Sequence, residues 1–160
     1  MLIRLASSED RAAIWRILEP VIRAGETYAL PRDMSERDAL AYWLGEDRET
    51  FVAMADGEII ATYYLRANQQ GGGAHVCNCG FMTAQDASGK GIARAMCAHA
   101  LAHAKASGYR AMQFNFVVST NERAVRLWQS LGFDIVGRIP HAFEHPSLGF
   151  VDALVMWREL

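Results

Sequence analysis

The sequence predicts a mixed α/β fold whose central sheet is mostly antiparallel and partly parallel. Segments with apolar residues at helical spacing are interspersed with short runs that alternate between apolar and polar residues. The pair Asp56-Gly57 is a strong hairpin signal, and a hairpin requires its two strands to be antiparallel. Helical segments fall between the later strands, and such crossovers allow parallel neighbours in the sheet.

The first half of the chain contains three predicted strands and two predicted helices. Ser7 and Ser35 can each begin a helix, because a serine hydroxyl accepts a hydrogen bond from a free backbone N–H. Asp38 lies three residues after Ser35, where a capping box places its acid. Gly25 ends the first helix. In order, the predicted elements are Leu2–Leu5, a helix to about Arg23, a helix over Ser35–Leu44, and strands Thr50–Ala55 and Glu58–Arg66.

The second half combines longer strands with two further helices. Gly108 and Gly132 follow the two helical patterns and are typical of helix ends. The segment Pro140–Gly149 is interpreted as a loop near the entrance for an acceptor, and it carries His141 and His145. In order, the predicted elements are strand Ala74–Thr83, a helix to about Ser107, strand Ala111–Val118, helix Asn121–Leu131, and strands near Phe133–Ile139 and Phe150–Arg158.

Length and composition predict one soluble domain over residues 1–160. The net charge is -2 with scattered Lys and Arg, so no basic face for nucleic acid is expected. No apolar run is long enough to cross a membrane, and the first residues have no signal-peptide pattern. We therefore expect a cytoplasmic protein without a nucleic-acid or membrane partner.

The three cysteines do not predict a disulfide framework or a zinc site, since their number is odd and no C-x-x-C spacing occurs. His75, Cys77 and Cys79 alternate and would share one face of a strand, but a metal there lacks a fourth ligand. Cys77 and Cys79 are better interpreted as small buried hydrophobes. No metal is expected.

The most informative segment is a strand followed by a glycine-rich turn and the start of a helix. Residues Ser88–Ala93 read SGKGIA, with Lys90 inside the turn and Arg94 just after it. Free N–H groups at a helix N-terminus bind phosphate, and glycine lets the backbone approach the anion closely. A plain tight turn is the alternative. The spacing matches neither a P-loop nor the dinucleotide fingerprint of a first βαβ unit.

Two motifs together resemble the GNAT superfamily of acetyltransferases. Ser88–Ala93 is similar to the family's pyrophosphate loop [QR]-x-x-G-x-[GA], and Asn121–Phe133, which reads NERAVRLWQSLGF, is similar to its later segment N-x-x-A-x-x-L-Y-x-x-x-G-F. The resemblance covers nearly the whole chain and implies the GNAT fold, with splayed strands that hold acetyl-CoA as co-substrate.

The resemblance also implies roles for particular residues at the cofactor. Phe81 and Thr83 would pair their backbone groups with the pantetheine arm, and the amide of Phe81 or Met82 would face the thioester carbonyl. Asn121 would contact the cofactor arm, cap its own helix, or do both. The expected cofactor contacts are Phe81, Met82, Thr83, Ser88, Gly89, Lys90, Gly91, Ile92, Ala93, Arg94, Asn121 and Trp128.

The chain departs from the family pattern at two positions. Ser88 replaces the usual Gln or Arg, so a side-chain contact to phosphate is lost while the backbone contacts remain. Trp128 replaces the Tyr that often protonates the leaving thiolate, and an indole N–H cannot release a proton near neutral pH. The thiol of CoA has a pKa near that of free Cys, about 8.5, so it can leave without a strong acid.

Several segments resemble the L-azetidine-2-carboxylate (proline-analogue) acetyltransferases and, less closely, the phosphinothricin acetyltransferases, which would carry Glu where this chain has Asn78. In this comparison Asn78 and Asn115 would hold a water and the substrate. Asn78 cannot itself accept a proton but can position a water that relays one. The segments are Val76–Phe81, Phe114–Val118, Val136–Pro140 and Gly149–Ala153.

Residues after the first helix often line the acceptor pocket in this family. Glu26 is therefore a second candidate base, and Thr27 and Tyr28 are candidate substrate contacts. Asn78 with Glu26 forms the predicted catalytic set. The aromatic and apolar side chains of Tyr28, Leu30, Tyr42 and Trp43 favour a small closed pocket.

These features predict transfer of acetyl from acetyl-CoA to a small amino or imino acid by direct attack. Two alternatives remain open: transfer to a protein N-terminus or lysine, and a non-catalytic acyl-CoA-binding domain, which the missing Tyr would allow. A homodimer is expected, with the strand near Phe150–Trp157 packed or exchanged between copies.

Overall fold

A seven-stranded sheet crosses the molecule in the computed structural model, which describes all residues 1–160. The strand order is β1-β2-β3-β4-β5-β7-β6, and only the β4–β5 pair is parallel. The strands are β1 (Leu2–Leu5), β2 (Glu49–Ala55), β3 (Glu58–Ala67), β4 (Val76–Thr83), β5 (Ala111–Val118), β6 (Asp134–His145) and β7 (Gly149–Glu159). The helices are α1 (Arg11–Ala24), α2 (Glu36–Trp43), α3 (Ile92–Ala106) and α4 (Glu122–Ser130). The predicted α/β class is confirmed.

Helices cover both faces of the sheet and bury a separate apolar cluster on each. On one face α1 packs its stripe against α2 and the sheet, with Ile14 and Trp43 fully buried. On the other face the cluster under α3 and α4 includes Met96, Met112 and Phe133, which are also buried. This three-layer arrangement is what amphipathic helices and a two-sided sheet require. No helix is long and apolar enough to cross a membrane.

The local signals read from the sequence act as predicted in the first half of the chain. Ser35 accepts a hydrogen bond from the backbone N–H of Asp38 at 3.1 Å and so caps α2. Gly25 closes α1 in the left-handed conformation, with φ of 64°. Asp56 and Gly57 both have positive φ, 51° and 83°, as a two-residue hairpin turn requires.

The last two strands are longer than the sequence indicates, and the predicted loop Pro140–Gly149 is wrong. β6 continues to His145, so only three residues connect it to β7. β6 is an edge strand, where a proline that donates no ladder hydrogen bond is tolerated. The pairing shifts after Ile139, and His141 has a φ of 51° while its N–H donates to Asp152. This irregularity made the segment look like a loop.

The functionally important feature is the divergence of β4 from β5. Their parallel pairing is confined to two positions, Val76 opposite Ala111 and Cys77 opposite Met112. Beyond these positions the strands separate, and the rest of each strand has an open edge toward the other. β5 also bulges between Phe114 and Val117 against β7, which bends it further at the same level.

Candidate active site

A cleft of about 910 Å³ opens where β4 and β5 separate. One end is bounded by the turn before α3 and by α4, and the other by the segment after α1 and by side chains of β3. We call these the turn end, around Ser88–Arg94, and the β3 end, around Tyr64 and Asn78. The cleft thus joins the two regions that the sequence singled out for chemistry.

The register of β4 determines which backbone groups face the cleft. Asn68 donates to the carbonyl of Val76, and Ala84 donates to the carbonyl of Ile60, so even-numbered β4 residues pair with β3. Antiparallel ladders alternate, and odd-numbered residues therefore direct their N–H and C=O groups the other way. The backbone groups of Phe81 and Thr83 face the cleft, whereas those of Met82 pair with β3. This resolves the choice between the Phe81 and Met82 amides.

The N-terminus of α3 opens onto the turn end without any side-chain cap. α2 and α4 differ, because Ser35 and Asn121 accept hydrogen bonds there. Gly91 is the N-cap residue of α3 and has a φ of 76°, a conformation that favours glycine. The first amides of α3 have no partner within the helix, and the positive end of its dipole faces the same way.

Arginines surround this helix terminus. Arg123, from α4, donates to the Ser88 hydroxyl at 3.1 Å, and its Nη2 lies near Gly89. Arg94 donates to the Ser130 hydroxyl at 2.7 Å, and Arg126 also lines the cleft. Unpaired amides and guanidinium groups together form a site suited to a phosphorylated ligand.

Aromatic rings form the floor between the two ends. The ring of Trp128 lies 5.3 Å from that of Phe81 and 5.1 Å from that of Phe114, measured between centroids. Trp128 is 8% exposed, lines the cleft, and its indole N–H makes no hydrogen bond within the chain. Such an apolar floor would exclude water from a ligand bound over it.

At the β3 end, Asn78 bridges the two diverging strands. Its Nδ2 donates to the backbone carbonyl of Gln113 at 2.9 Å, and the side chain is buried. The amide of Asn78 can therefore act in two ways: its NH2 group joins β4 to β5, and its carbonyl oxygen has no partner within the chain.

Asn115 and Tyr28 also reach this end of the cleft. Asn115 donates to the Asn68 side chain at 2.6 Å and accepts from Gln113 at 3.0 Å, which fixes the amide plane. The Tyr28 hydroxyl donates to the Phe81 carbonyl at 2.9 Å, so it ties the segment after α1 to the exposed edge of β4. Burial raises the pKa of Tyr28 well above its ordinary value, and the phenol stays a neutral donor.

Comparison with known proteins identifies this arrangement. A model of the acetyltransferase (GNAT) family matches residues 12–133. The chain belongs to the GNAT acetyltransferase family. The predicted GNAT fold and the class of acetyl-CoA-dependent N-acetyltransferase are confirmed at the level of the family.

Individual relatives agree with this assignment. N-acetyltransferase aca1 of Schizosaccharomyces pombe is 33% identical over 98 residues, which is 61% of this chain and 47% of that protein, so the match spans about half of the relative's length. A GCN5-related N-acetyltransferase from Kribbella flavida is 41% identical, with a TM-score of 0.94 over 99% of this chain and 97% of that one. A phosphinothricin acetyltransferase from Sinorhizobium meliloti, solved in complex with acetyl-CoA, shares the fold at 21% identity, with a TM-score of 0.86 over 99% and 88%.

In this acetyltransferase the cleft brings together most residues selected from the sequence. Of the proposed cofactor contacts only Lys90 lies outside the lining, where its side chain is exposed. Asn78, Asn115, Thr27 and Tyr28 all line the β3 end. The cleft contains this set because the diverging strands, the turn and α4 all meet there.

Other candidates lie elsewhere. Glu26 is exposed and outside the lining, although Thr27, the next residue, lines the cleft. Trp43 is fully buried and donates to Thr62 at 2.9 Å, so it belongs to the core and not to the pocket wall. His141 and His145 lie on β6 and do not line the cleft.

The cysteines are all buried and free. Cys77 and Cys79 belong to the apolar cluster under α3, as small hydrophobes do. His75 is exposed, and no group of three or more His, Cys, Asp or Glu side chains is positioned to hold a metal ion.

Sequence reasoning missed three charged residues of the lining: Arg66, Arg123 and Arg126. Arg123 and Arg126 lie inside the family's second motif but at its variable positions. Helical spacing from Asn121 does place Arg123 in the first turn of α4. Its position beside the glycine turn follows only from the packing of α4 against the N-terminus of α3.

Proposed function

We propose that the protein transfers the acetyl group of acetyl-CoA to the amine of a small amino or imino acid, with azetidine-2-carboxylate as the model acceptor. The observation that carries this proposal is the single cleft, which joins an uncapped helix N-terminus ringed by arginines to a small aromatic pocket. The phosphates of the cofactor would lie in the first region, and its thioester would lie over the aromatic floor between the two regions. The resemblance of Val76–Phe81 to the proline-analogue group favours the acceptor class.

For the cofactor, we propose that the segment Ser88–Ala93 holds the pyrophosphate through its free amides, which exclude the Ser88 amide because it donates to the Gln85 carbonyl, and that Arg94 and Arg123 add charge beside it. The open edge of β4 would pair with the pantetheine arm as an added strand, through Phe81 and Thr83. Lys90 would add positive electrostatic potential near the turn end of the cleft without contacting the cofactor. Asn121 caps α4 and would also order the wall of the cleft.

In the proposed reaction the neutral amine attacks the thioester carbonyl carbon and forms a tetrahedral intermediate. The N–H of Phe81, which faces the cleft, would donate to the oxyanion. The intermediate collapses with cleavage of the C–S bond, and CoA leaves as the thiolate. The amine proton passes to a water held by the free carbonyl oxygen of Asn78, because no Asp, Glu or His lines the cleft to accept it.

Side chains around the β3 end would shape the acceptor pocket. Tyr28, Leu30, Tyr42 and Tyr64 line it, and the Tyr42 and Tyr64 rings lie 6.1 Å apart between centroids, so its walls are largely aromatic. Thr27 and Asn115 supply polar groups at its rim. This arrangement supports a small acceptor better than an extended peptide, which needs an open groove.

We further propose that residues 1–160 act as one domain, that the protein is a cytoplasmic homodimer, and that the β6–β7 hairpin forms the dimer contact. Exposed apolar side chains on this hairpin, among them Val136 and Phe150, support the contact. Light scattering with Phe150→Ser tests the dimer: the wild-type protein should have twice the monomer mass and the variant the mass of one chain. Cell fractionation tests the location.

The function is tested by measuring thiol release from acetyl-CoA with a panel of amines: azetidine-2-carboxylate, proline, phosphinothricin and lysine-containing peptides. We expect the imino acids to give the highest kcat/KM. Faster acetylation of the peptides would overturn the acceptor assignment in favour of a protein substrate. Tight acetyl-CoA binding without turnover of any amine would instead indicate a non-catalytic acyl-CoA-binding domain.

A further inference from the structure

Arg66 is a cation at the β3 end of the cleft with most of its donors unused. It lies on β3 directly opposite Asn78 on β4, so the two side chains share a face of the sheet. Its guanidinium makes one hydrogen bond, from Nη1 to Asp47 at 3.3 Å, and its Nε is buried without a partner. A guanidinium has five N–H donors, and Arg66 lines the cleft with 30% of its side chain exposed.

Asp47 does not neutralise Arg66, because its carboxylate is already paired with Arg48. Arg48 donates to both oxygens of Asp47, at 2.7 and 3.1 Å, and its side chain is 6% exposed. The hydrogen bond from Arg48 is the main reason why the pKa of Asp47 lies below its ordinary value. Two guanidinium groups share one carboxylate, and the surplus positive charge falls on Arg66, the more distant partner.

The same Arg48 also fixes the wall behind Arg66. Its guanidinium carbon lies 5.0 Å from the Tyr42 ring centroid and 4.7 Å from that of Tyr64, which holds the arginine by cation–π contacts. Tyr64 in turn packs against Gly80, where any side chain would collide with the phenol ring. The pocket next to Arg66 is therefore preorganised.

The charges lining the cleft are all positive. Four arginines line it and no Asp or Glu does, and three of the four are at the turn end. Arg66 is the fourth and the one charge in the lining of the β3 end. A cationic acceptor such as a polyamine would find no counter-charge there, whereas an anionic group would find a partly desolvated guanidinium.

We propose that Arg66 binds the carboxylate of the acceptor and makes that anionic group a requirement for acetylation. This inference rests on the proposed function and specifies its substrate class: amines that carry a carboxylate close to the nitrogen. Asn115 keeps one free N–H and can assist, but it is neutral and its amide is held by Asn68 and Gln113. Arg66 supplies the charge that selects the acceptor.

The test compares azetidine-2-carboxylate with azetidine-2-carboxamide, which has the same ring and amine but a neutral amide in place of the carboxylate. For the wild-type enzyme, kcat/KM should be about 10- to 100-fold higher for the carboxylate, the range expected for hydrogen bonds to a charged group. Arg66→Gln should lose most of this preference through a higher KM for the carboxylate, with the carboxamide and the KM of acetyl-CoA nearly unchanged. Arg66→Lys should restore part of it.

Arg37→Gln is the matched control, because it removes the same charge from a side chain that is 90% exposed on α2. It should leave the carboxylate preference intact. If Arg66→Gln lowers activity equally on both acceptors, Arg66 is merely structural and the inference is overturned. A wild-type enzyme that prefers the carboxamide also overturns it.

Direct titration separates this inference from the proposed function. Calorimetry of azetidine-2-carboxylate into the complex with CoA should show binding that Arg66→Gln weakens about 10-fold or more. Carboxylate binding through Arg66 without acetyl transfer would mean that the proposed function fails while the anion site stands. Acetylation of imino acids that Arg66→Gln does not affect would mean that the proposed function stands and that Arg66 does not bind the carboxylate.

Discussion

The two ends of the cleft offer a ligand different kinds of groups. At the turn end these groups are backbone amides of the glycine turn and of the first turn of α3, with arginines around them. At the β3 end they are side chains from distant parts of the chain, such as Tyr28, Arg66 and Asn78. A backbone site tolerates a changed side chain, and this chain has Ser88 where the family usually has Gln or Arg. A side-chain site changes its specificity with every substitution.

The turn end also shows how one loss is offset from a neighbouring element. Arg123 of α4 donates to Ser88 and lies beside Gly89, close to where a longer side chain at position 88 would reach. Arg123 therefore places a guanidinium beside the turn, where the family motif would have the side chain of Gln or Arg. No comparable substitute exists for Arg66 at the β3 end, where it is the one charged lining residue.

The largest effect should be on acetyl-CoA binding and should come from a negative charge placed at the turn end. Gly91→Glu should weaken acetyl-CoA binding at least about 100-fold, which is about 2.7 kcal/mol, because a carboxylate would face the pyrophosphate. No atom lies within 4 Å of a Cβ added at Gly91, so the side chain has space, but the left-handed backbone there strains Glu and should lower the melting temperature. Calorimetry on the folded variant measures the change.

Gly91→Asn is the control, since Asn tolerates the left-handed conformation of Gly91, with φ of 76°. It should bind acetyl-CoA within about fivefold of wild type, as expected where backbone amides make the contacts. Unchanged affinity in a folded Gly91→Glu protein would show that the anion binds elsewhere.

The next largest effect should be on kcat at the β3 end. Asn78→Ala should lower kcat about 10- to 100-fold, below the full range for direct proton transfer because water can still reach the site. It should also lower the melting temperature, since the partly buried Gln113 carbonyl loses its donor at a cost of about 1 kcal/mol. Steady-state kinetics and thermal unfolding measure the two effects.

Asn115→Ala is the companion variant and should act mainly on the KM of the acceptor, by a few-fold, as expected for one neutral hydrogen bond. The KM of acetyl-CoA should stay nearly constant in both variants. If either substitution changed only the KM of acetyl-CoA, the assignment of these asparagines to the acceptor would be refuted.

A smaller effect is expected from the charge that α4 contributes. Arg123→Gln should weaken acetyl-CoA binding about 10-fold, because one charge-assisted contact is lost at an exposed position. Ser88→Ala should cost less than about threefold, since the backbone remains. An equal loss of acetyl-CoA affinity in both variants would mean that Arg123 only positions the Ser88 hydroxyl, and that this hydroxyl contacts the ligand.

The smallest effect should follow replacement of the aromatic floor. Trp128→Phe should keep kcat within about tenfold, because the CoA thiolate leaves without an acid and Phe still packs between Phe81 and Phe114. Loss of a true general acid would cost about 10²–10⁴-fold. A folded variant that binds acetyl-CoA normally but loses a thousandfold in kcat would give Trp128 a direct chemical role.

The sequence could predict the turn end because its groups are consecutive in the chain. Glycines, a strand before them and a helix after them are local features, and their consequences for the backbone do not depend on distant residues. The same reasoning found the caps at Ser35 and Asn121, the hairpin at Asp56-Gly57 and the order of the elements. It failed for β6, where pairing with β7 overrides the local signals of Pro140 and His141.

By itself, the sequence determined the α/β class, the family and the segment that offers free amides to an anion, because these follow from local backbone preferences and contiguous motifs. Only the tertiary structure decided that Phe81 and not Met82 directs its amide into the cleft, since that depends on the register between β3 and β4. It also decided that Glu26 lies outside the cleft and Arg66 inside it. These placements depend on how β3, β4 and the segment after α1 pack, and no spacing along the chain encodes that packing.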